Sequence, residues 1–213
     1  MHTYPSAADA TPLPHPPARA SRGPDWWLMM RKFLSKGRSI ASFAPSSRFM
    51  ARSMLAGINF ETARCVVELG AGTGPITAEL VRRVRPHTRL LVVELDPDMC
   101  GRLKHRFPQL DVVQGDACHL DRLLADRGIT QVDHVCSELP LPSFPAPLRD
   151  AILATTARVL APHGSFRQLT VMPLVYRKMY RGYFEDVRFD FVALNLPPGG
   201  VYVCRGYRKP ASV

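Results

Sequence analysis

The sequence lacks any long apolar run. No segment of the chain reaches the length of about 18 consecutive apolar residues that a transmembrane helix requires, so we expect no helix that spans a membrane. Residues 1–24 also lack the apolar central region of a secretory signal peptide, which predicts a cytoplasmic protein. Hydrophobic residues nevertheless make up 46% of the chain, which is enough for a folded core and excludes wholesale disorder.

Cysteine is scarce and scattered. The five cysteines are odd in number and contain no C-x-x-C pair. They are Cys65, Cys100, Cys118, Cys136 and Cys204. This pattern favours free thiols in a reducing cytosol over a disulfide framework, and it argues against a structural zinc site. We therefore expect no metal ion.

Acidic residues are absent from one part of the chain. Between Trp26 and Phe60 the sequence has six basic residues and no Asp or Glu, and the whole chain carries a net charge of +10. This imbalance predicts a polyanionic partner for the N-terminal quarter, either a membrane surface or a nucleic acid. A solvated basic face without a partner is the alternative.

The chain divides into a proline-rich beginning and a long alternating region. Residues 1–24 hold six of the twenty prolines and show no periodicity, so we predict a disordered leader. From residue 64 onward, β-branched runs alternate with helical patterns. Strands are predicted over 64–70, 89–95, 110–116, 131–137 and 164–172, and helices over 74–84, 97–107, 119–128 and 147–162. Such alternation predicts an α/β fold, a parallel sheet with helices on both faces.

The end of the chain departs from this alternation. Residues 186–208 predict two strands joined by a Pro-Pro-Gly-Gly turn, and hence an antiparallel hairpin. A seven-stranded, mostly parallel sheet that ends in such a hairpin is the Rossmann-like plan typical of class I methyltransferases. An NAD-type Rossmann domain does not need that last hairpin.

The stretch "VVELGAGTG" (66–74) predicts a cofactor site. A buried strand containing Glu68 runs into Gly70, Ala71, Gly72 and Gly74 and then into a helix. The spacing is G-x-G-x-G, whereas a dinucleotide fingerprint reads G-x-G-x-x-G and holds a pyrophosphate. S-adenosylmethionine has no phosphate but carries an ammonium and a sulfonium, which a nearby carboxylate suits. The loop therefore predicts S-adenosylmethionine as the cofactor.

Two further strand ends support this prediction. Glu94, followed by Leu95, ends the second strand, where an acid can take both ribose hydroxyls. Asp116 ends the third strand and suits the adenine amino group, with Ala117 supplying a backbone N–H. The alternative is that Glu94 and Asp116 only cap their strand ends.

The loop after the fourth strand, "SELPLPSFP" (137–145), is expected to face the transferred methyl group. Amino-group methyltransferases that act on nucleic acids carry an aromatic residue here, as in [DNS]-P-P-[YF], and stack it on the flipped base. This chain has no aromatic residue in the loop before Phe144. The loop is therefore poorly suited to stacking on a flipped base.

Several stretches occur in an order that resembles one family. They are "GRSIASFAPSSRFMARSM" (37–54), "VVELGAGTGPIT" (66–77), "SELPLPSFP" (137–145), "RQLTVMP" (167–173) and "FDFVALNLPP" (189–198). Together they resemble the bacterial phospholipid N-methyltransferases, which are similar to rRNA adenine dimethylases. The resemblance covers residues 26–208.

The resemblance implies a substrate and a location. Such enzymes methylate the amine of phosphatidylethanolamine stepwise towards phosphatidylcholine, or the free amine of ornithine lipids, and release S-adenosylhomocysteine. It implies an anionic membrane surface and an amino-lipid as partners, with the protein attached peripherally to the inner face of the cytoplasmic membrane. We expect a monomer that binds no nucleic acid. An adenine N-methyltransferase acting on rRNA or DNA is the alternative, and a non-catalytic protein that binds the cofactor is disfavoured by the intact glycine loop.

Glu138 is the candidate for handling the acceptor amine. A primary alkyl ammonium titrates near the lysine value of about 10.4, so it must lose a proton before it attacks the methyl group. We predict that Glu138 orients or deprotonates this amine, with Ser137 beside both the amine and the cofactor. Glu138 also departs from the family pattern, in which a small residue usually follows the serine. A surface glutamate without a role is the alternative.

A tyrosine-rich stretch follows the fifth strand. Tyr176, Tyr180 and Tyr183 stand at i, i+4 and i+7, so we predict that they share one helix face. Their rings could hold a methylated ammonium by cation–π attraction. Packing of this face on the sheet is the alternative. The interleaved Arg177, Lys178 and Arg181 could bind lipid phosphate.

The segment 26–41 has the pattern of an interfacial helix. On a helical wheel, Trp and other apolar side chains occupy one side and basic side chains the other. The predicted lipid contacts are Trp26, Trp27, Met30, Arg31, Lys32, Phe33, Lys36 and Arg38, together with Arg48 from a second helix at 45–58. We predict that residues 25–58 form membrane-docking and lid helices and that residues 59–213 form the methyltransferase domain. A helix packed on the enzyme or on a protein partner is the alternative.

Overall fold

The computed structural model describes residues 48–172, 175–195 and 197–208. All of them belong to one compact unit, Ser42–Val213. The predicted leader and the predicted helix at 26–41 lie outside the described residues. Among the helices in the described ranges, none has the length and apolar character needed to cross a bilayer.

Seven strands form one sheet in the order β3-β2-β1-β4-β5-β7-β6. Their bounds are β1 Cys65–Leu69, β2 Arg89–Glu94, β3 Asp111–Gln114, β4 Val132–Ser137, β5 Leu160–Thr170, β6 Phe184–Val192 and β7 Gly199–Tyr207. The first five strands pair in parallel, and β7 runs antiparallel to both β5 and β6. The predicted fold class is confirmed.

One helix precedes β1, and each pair of successive strands from β1 to β6 is joined by a helix, as expected for parallel strands. The helices are α1 Arg48–Met54, α2 Pro75–Arg83, α3 Pro97–Arg106, α4 Leu120–Ala125, α5 Ala146–Val159 and α6 Arg177–Arg181, with short 3₁₀ turns at Ala117–His119 and Leu141–Ser143. One predicted boundary is wrong, because α5 ends at Val159 and β5 already begins at Leu160. Pro162 explains this end, since proline disfavours helical backbone in the residue before it.

The terminal hairpin also differs in detail from its prediction. Gly199 and Gly200 were expected in the turn, but they pair with Val192 and Phe191 as the first residues of β7. A Cβ atom on Gly200 would lie 2.5 Å from the Phe189 ring and 2.4 Å from Asp190 O. Glycine is needed here for close packing within the sheet and not for a turn.

Helix α1 packs on the sheet through an interior arginine. Met50, Ala51 and Met54 of α1 are buried in the core. Arg167 of β5 is fully buried, and its Nη1 donates hydrogen bonds to Met54 O at 3.0 Å and to Ala56 O at 2.7 Å. A cation that caps the carbonyl groups at a helix C-terminus satisfies acceptors that the helix itself cannot. Arg167 therefore fixes the end of α1 to β5.

Replacing Arg167 with methionine is expected to lower the free energy of unfolding by about 2 kcal/mol or more, because it leaves interior carbonyl groups without their donor. Urea unfolding of the two proteins measures this difference. Arg89→Met is the matched control, since Arg89 Nη2 also donates to a carbonyl, Arg127 O, but at an exposed position. We expect that control to stay within about 0.5 kcal/mol of the unchanged protein. Equal losses in both variants would contradict the capping role of Arg167.

Candidate active site

The glycine loop follows β1 at the edge of the sheet where the parallel strands end. Gly70 and Gly72 have positive φ angles of 74° and 54°, which side chains rarely adopt. A Cβ atom on Gly70 would lie 2.7 Å from Leu139 Cδ2, so this glycine lets the loop after β4 approach. A Cβ atom on Gly72 would meet nothing within 4 Å. The backbone at Gly72 therefore faces open space in which a ligand can lie against it.

Glu94 holds the glycine loop from the end of β2. Its Oε2 accepts a hydrogen bond from Gly72 N at 2.8 Å, and its Oε1 accepts one from Asp96 N at 3.0 Å. The side chain is buried, and the neighbouring Leu95 is half-buried. A carboxylate has about four acceptor positions, so Glu94 keeps lone pairs for a diol after both backbone contacts are made.

Asp116 follows β3 and caps the 3₁₀ turn after it. Its Oδ1 accepts a hydrogen bond from Cys118 N at 2.9 Å. Capping, considered above as the alternative role, is therefore part of what Asp116 does. Ala117 is the first residue of the turn and is buried. The structure brings Asp116 and Ala117 to the same edge of the sheet as Glu94, because β2 and β3 are parallel neighbours.

Glu68 places a carboxyl group in the interior, within β1. It is fully buried, and its Oε2 accepts a hydrogen bond from Thr77 Oγ1 of α2 at 2.7 Å. Burial raises the pKa of Glu68 from 4.5 to about 7, although hydrogen bonds with Thr77 and with the Glu138 carboxyl act in the opposite direction. Two carboxyl groups can share a hydrogen bond only if one of them holds a proton. Glu68 and Glu138 therefore form a carboxyl pair that retains a proton towards neutral pH.

The backbone after β4 runs alongside the glycine loop. Glu138 N donates to Leu69 O at 3.0 Å, which extends the pairing of β4 with β1 beyond Ser137. Ser137 is fully buried, and its Oγ accepts a hydrogen bond from Leu139 N at 3.3 Å. The structure thus brings together Ser137, Glu138 and the glycine loop. Phe144 lies farther along and is buried.

Gln168 belongs to this site and was missed by the sequence analysis. It is buried on β5 and pairs in register with Ser137. Its Nε2 donates to Leu139 O at 2.8 Å, which holds the loop after β4 against β5. Its Oε1 is buried and has no hydrogen-bond partner among the described residues. A glutamine inside a strand has no local signature, and only the family-like stretch 167–173 could have pointed to it.

The three tyrosines do not share a helix face. Helix α6 covers only Arg177–Arg181, so Tyr183 lies beyond its end. Tyr180 is fully buried, with its ring centroid 4.9 Å from that of Tyr202 and 6.5 Å from that of Phe166. This packing corrects the assignment of Tyr180 to the acceptor site, because the aromatic core takes up its ring.

The other two tyrosines have separate environments. Tyr183 is buried, and its Oη donates to Asp150 Oδ1 and accepts a hydrogen bond from Arg149 Nε. Tyr176 precedes α6 and is half-buried, with its Oη donating to Met172 Sδ at 3.3 Å. Of the three, Tyr176 is the one whose ring remains partly accessible at this edge of the sheet.

Most of the predicted lipid contacts fall outside the described residues. These are Trp26, Trp27, Met30, Arg31, Lys32, Phe33, Lys36 and Arg38. Arg48 is described, and it begins α1 as an exposed residue. Its guanidinium carbon lies 5.1 Å from the centroid of the Phe49 ring, so the Arg48 guanidinium lies near the surface of α1.

The donors and acceptors at this edge fit S-adenosylmethionine. Glu94 offers a fixed carboxylate for a ribose diol, and Gly72 leaves room for the ligand next to the backbone. The carboxyl pair, Glu68 and Glu138, suits a positively charged group. The site is less suited to a pyrophosphate, because Pro75 at the start of α2 lacks a backbone N–H that could donate a hydrogen bond to a phosphate.

Sequence relatives agree with this assignment. The family described as a methyltransferase domain matches residues 66–164. An ornithine lipid N-methyltransferase from Singulisphaera acidiphila is 47% identical over 188 residues, which cover 87% of this chain and 98% of that protein. The ribosomal RNA small subunit methyltransferase A of Burkholderia ambifaria is 36% identical over 113 residues, which cover 52% of this chain and 41% of that protein.

Solved structures share the fold at low sequence identity. A TehB-like SAM-dependent methyltransferase from Corynebacterium glutamicum has a TM-score of 0.55 and 18% identity, over 84% of this chain and 98% of that one. Human methyltransferase-like protein 13 in complex with SAH has a TM-score of 0.54 and 16% identity, over 78% and 81% of the two chains. Since the identity to the ornithine lipid enzyme extends over nearly its whole length, this chain belongs to the same family, the S-adenosylmethionine-dependent lipid N-methyltransferases of class I fold.

Proposed function

We propose that this enzyme methylates the free amine of an ornithine lipid at a membrane surface. The observation that carries the proposal is the 47% identity to an ornithine lipid N-methyltransferase over 98% of that protein's length. The site is consistent with a small, flexible amine as acceptor, because the loop after β4 presents a carboxyl group and no exposed aromatic ring.

The residues of the chain prepare the amine for attack. At pH 7 a primary alkyl amine with a pKa of about 10.4 is almost entirely protonated and has no lone pair to offer. In the ionised pair, Glu138 accepts the ammonium proton at its carboxylate and then donates a hydrogen bond to the carboxylate of Glu68 behind it. Gln168 keeps the loop after β4 in place, so that Glu138 remains at the end of the glycine loop. When bound, S-adenosylmethionine supplies an electrophilic methyl group on a positively charged sulfur.

Nucleic acid is a less suitable acceptor for this site. A flipped base needs an aromatic face to stack on, and Phe144, the first aromatic residue after β4, is buried in the core. The matching part of the ribosomal RNA methyltransferases covers 41% or less of their length in the Burkholderia ambifaria and Burkholderia thailandensis proteins. This similarity is consistent with a shared cofactor-binding half and a different acceptor.

The chain is expected to reach its substrate as a peripheral protein on the inner face of the cytoplasmic membrane. The segment 26–41 supports this, since its Trp residues suit the headgroup level and its bases suit anionic lipid. We expect the enzyme to act there as a monomer.

The decisive experiment is lipid mass spectrometry on a host that makes ornithine lipid and phosphatidylethanolamine but methylates neither. Expression of the chain is expected to add one to three methyl groups to ornithine lipid and to leave phosphatidylethanolamine unchanged. A Glu94→Ala variant expressed at the same level is the matched control. Methylated phosphatidylethanolamine would correct the headgroup, whereas unchanged lipids together with methylated adenine in rRNA would overturn the lipid assignment.

A further inference from the structure

The described residues expose their large apolar side chains in one place. Four of these side chains are exposed, with exposed fractions of 47% for Met172, 61% for Val175, 59% for Phe191 and 69% for Leu194. Met172 and Val175 follow the end of β5, and Phe191 and Leu194 lie at the end of β6. All four belong to the edge of the sheet at which the active site lies, because β5 and β6 run in the same direction.

The strand pairing brings these two pairs of residues close to each other. Thr170 of β5 and Phe191 of β6 both pair with Gly200 of β7. Strand β7 lies between them, and paired strands are about 5 Å apart, so the segments that leave β5 and β6 emerge about 10 Å apart at the same edge of the sheet. Clustered apolar side chains on the surface of a soluble domain typically mark a binding surface.

A groove continues this apolar surface towards α1. It has a volume of about 550 Å³ and lies between α1 and the end of β6. Its lining residues are Phe49, Arg52, Ser53, Ala56, Phe191, Val192, Ala193 and Leu194. We call the four exposed side chains and this groove the apolar tip.

Basic residues stand next to the apolar tip. Arg52 lines the groove, Arg48 precedes it by one turn of α1, and Arg177 and Lys178 follow Val175 in the chain; all four are exposed. The sequence has no acid between Trp26 and Phe60 or between Arg167 and Phe184. Asp190 of β6 is the acid next to Phe191. An apolar centre with basic flanks is complementary to an anionic bilayer, whose phosphates surround an apolar interior.

We propose that the apolar tip is the surface on which this enzyme sits on an anionic bilayer. The four side chains insert among the lipid headgroups, and Arg48, Arg52, Arg177 and Lys178 contact lipid phosphates. This orientation points the carboxyl ends of β4 and β5, with Glu138, at the membrane, so a lipid amine reaches the site while its acyl chains stay in the bilayer. A second copy of the chain fits less well, because an interface formed by the same patch on both copies would face these bases against each other. The inference rests on the proposed function, since it assumes a membrane lipid as acceptor.

The test compares binding of full-length variants to vesicles of phosphatidylglycerol and phosphatidylethanolamine by co-sedimentation. Phe191→Ser combined with Leu194→Ser is expected to lower the partition coefficient by about tenfold or more, because two large apolar side chains no longer enter the bilayer. Cofactor affinity and melting temperature are expected to stay unchanged, since both side chains are exposed.

A charge-reversal pair tests the basic border separately. Arg52→Glu is expected to weaken binding to the anionic vesicles several-fold, with a smaller effect at high salt. Arg102→Glu makes the same change in net charge at an exposed position of α3 and is expected to leave binding near that of the unchanged protein.

The outcomes separate this inference from the proposed function. Unchanged vesicle binding in the Phe191 and Leu194 double variant would overturn the inference, and so would concentration-dependent self-association that this variant abolishes. If the unchanged protein methylates lipid in vesicles while the double variant binds and works equally well, the proposed function stands and the docking surface is wrong. If the unchanged protein binds vesicles through the tip but methylates no lipid, the surface stands and the proposed function fails.

Discussion

Replacing Glu94 with alanine is expected to weaken binding of S-adenosylmethionine by about 100-fold or more. We expect the carboxylate to accept both ribose hydroxyls, and a hydrogen bond to a charged group is worth about 1.5–3 kcal/mol, against about 1.4 kcal/mol per tenfold in affinity. Glu94 also fixes Gly72 through a hydrogen bond of 2.8 Å, so its loss loosens the glycine loop. Isothermal titration calorimetry with S-adenosylhomocysteine measures the change.

Glu79→Ala is the matched control for this variant. Glu79 is another buried glutamate, but it belongs to α2 and pairs with Arg82 and Arg83 of the same helix. Its removal is expected to cost some stability and to change cofactor affinity less than about threefold. Cofactor affinity that survives in Glu94→Ala would mean that another group holds the ribose.

Replacing Glu138 with glutamine is expected to lower kcat by about 100-fold or more, the range typical for loss of a general base. Glutamine has nearly the same shape but cannot accept the ammonium proton. Cofactor affinity is expected to change little, which separates a role at the amine from a role in cofactor binding. Glu185→Gln, an exposed position at the start of β6, is the control and is expected to keep full kcat.

The pH dependence of kcat gives this variant an independent readout. Burial raises the pKa of Glu68 to about 7, and Glu68 shares a hydrogen bond with Glu138. Below that pH the pair is protonated and cannot take a proton from the amine, so kcat is expected to rise with pH through about 7. Glu68→Gln removes one member of the pair and is expected to shift this rise in kcat to lower pH. A rise in kcat that stays at the same pH in Glu68→Gln would contradict the assignment of Glu138 to the amine. Normal kcat together with weakened cofactor binding in Glu138→Gln would contradict it as well.

Local sequence patterns were sufficient for the strands and for the cofactor loop. The runs at 64–70 and 89–95 are buried parallel strands, and such strands need continuous apolar and β-branched residues whatever surrounds them. Gly70 and Gly72 could be placed because their backbone conformation excludes side chains, a local requirement. Glu94 followed from the same logic, since the carboxyl ends of parallel strands meet at one edge of the sheet.

Predictions from residue spacing were wrong where segments distant in the chain determine the environment of a side chain. The period of Tyr176, Tyr180 and Tyr183 suggested one helix face, but the helix ends at Arg181 and the aromatic residues of β5 and β7 enclose Tyr180. Gly199 and Gly200 looked like turn residues, but pairing with the neighbouring strands places them inside β7. In both cases packing with other elements outweighed the local preference.

The sequence by itself determined the α/β plan, the glycine loop with Glu94, and the family, because each depends on short stretches with their own conformational needs. Only the tertiary structure decided that Glu68 and Glu138 form a carboxyl pair, that Gln168 holds the loop after β4, and that Arg167 caps α1. These contacts join residues that are far apart in the chain, and the charge or hydrogen bond of each depends on burial that no local pattern encodes. The apolar tip has the same origin, since it exists only because β5 and β6, on either side of β7, end at the same edge of the sheet.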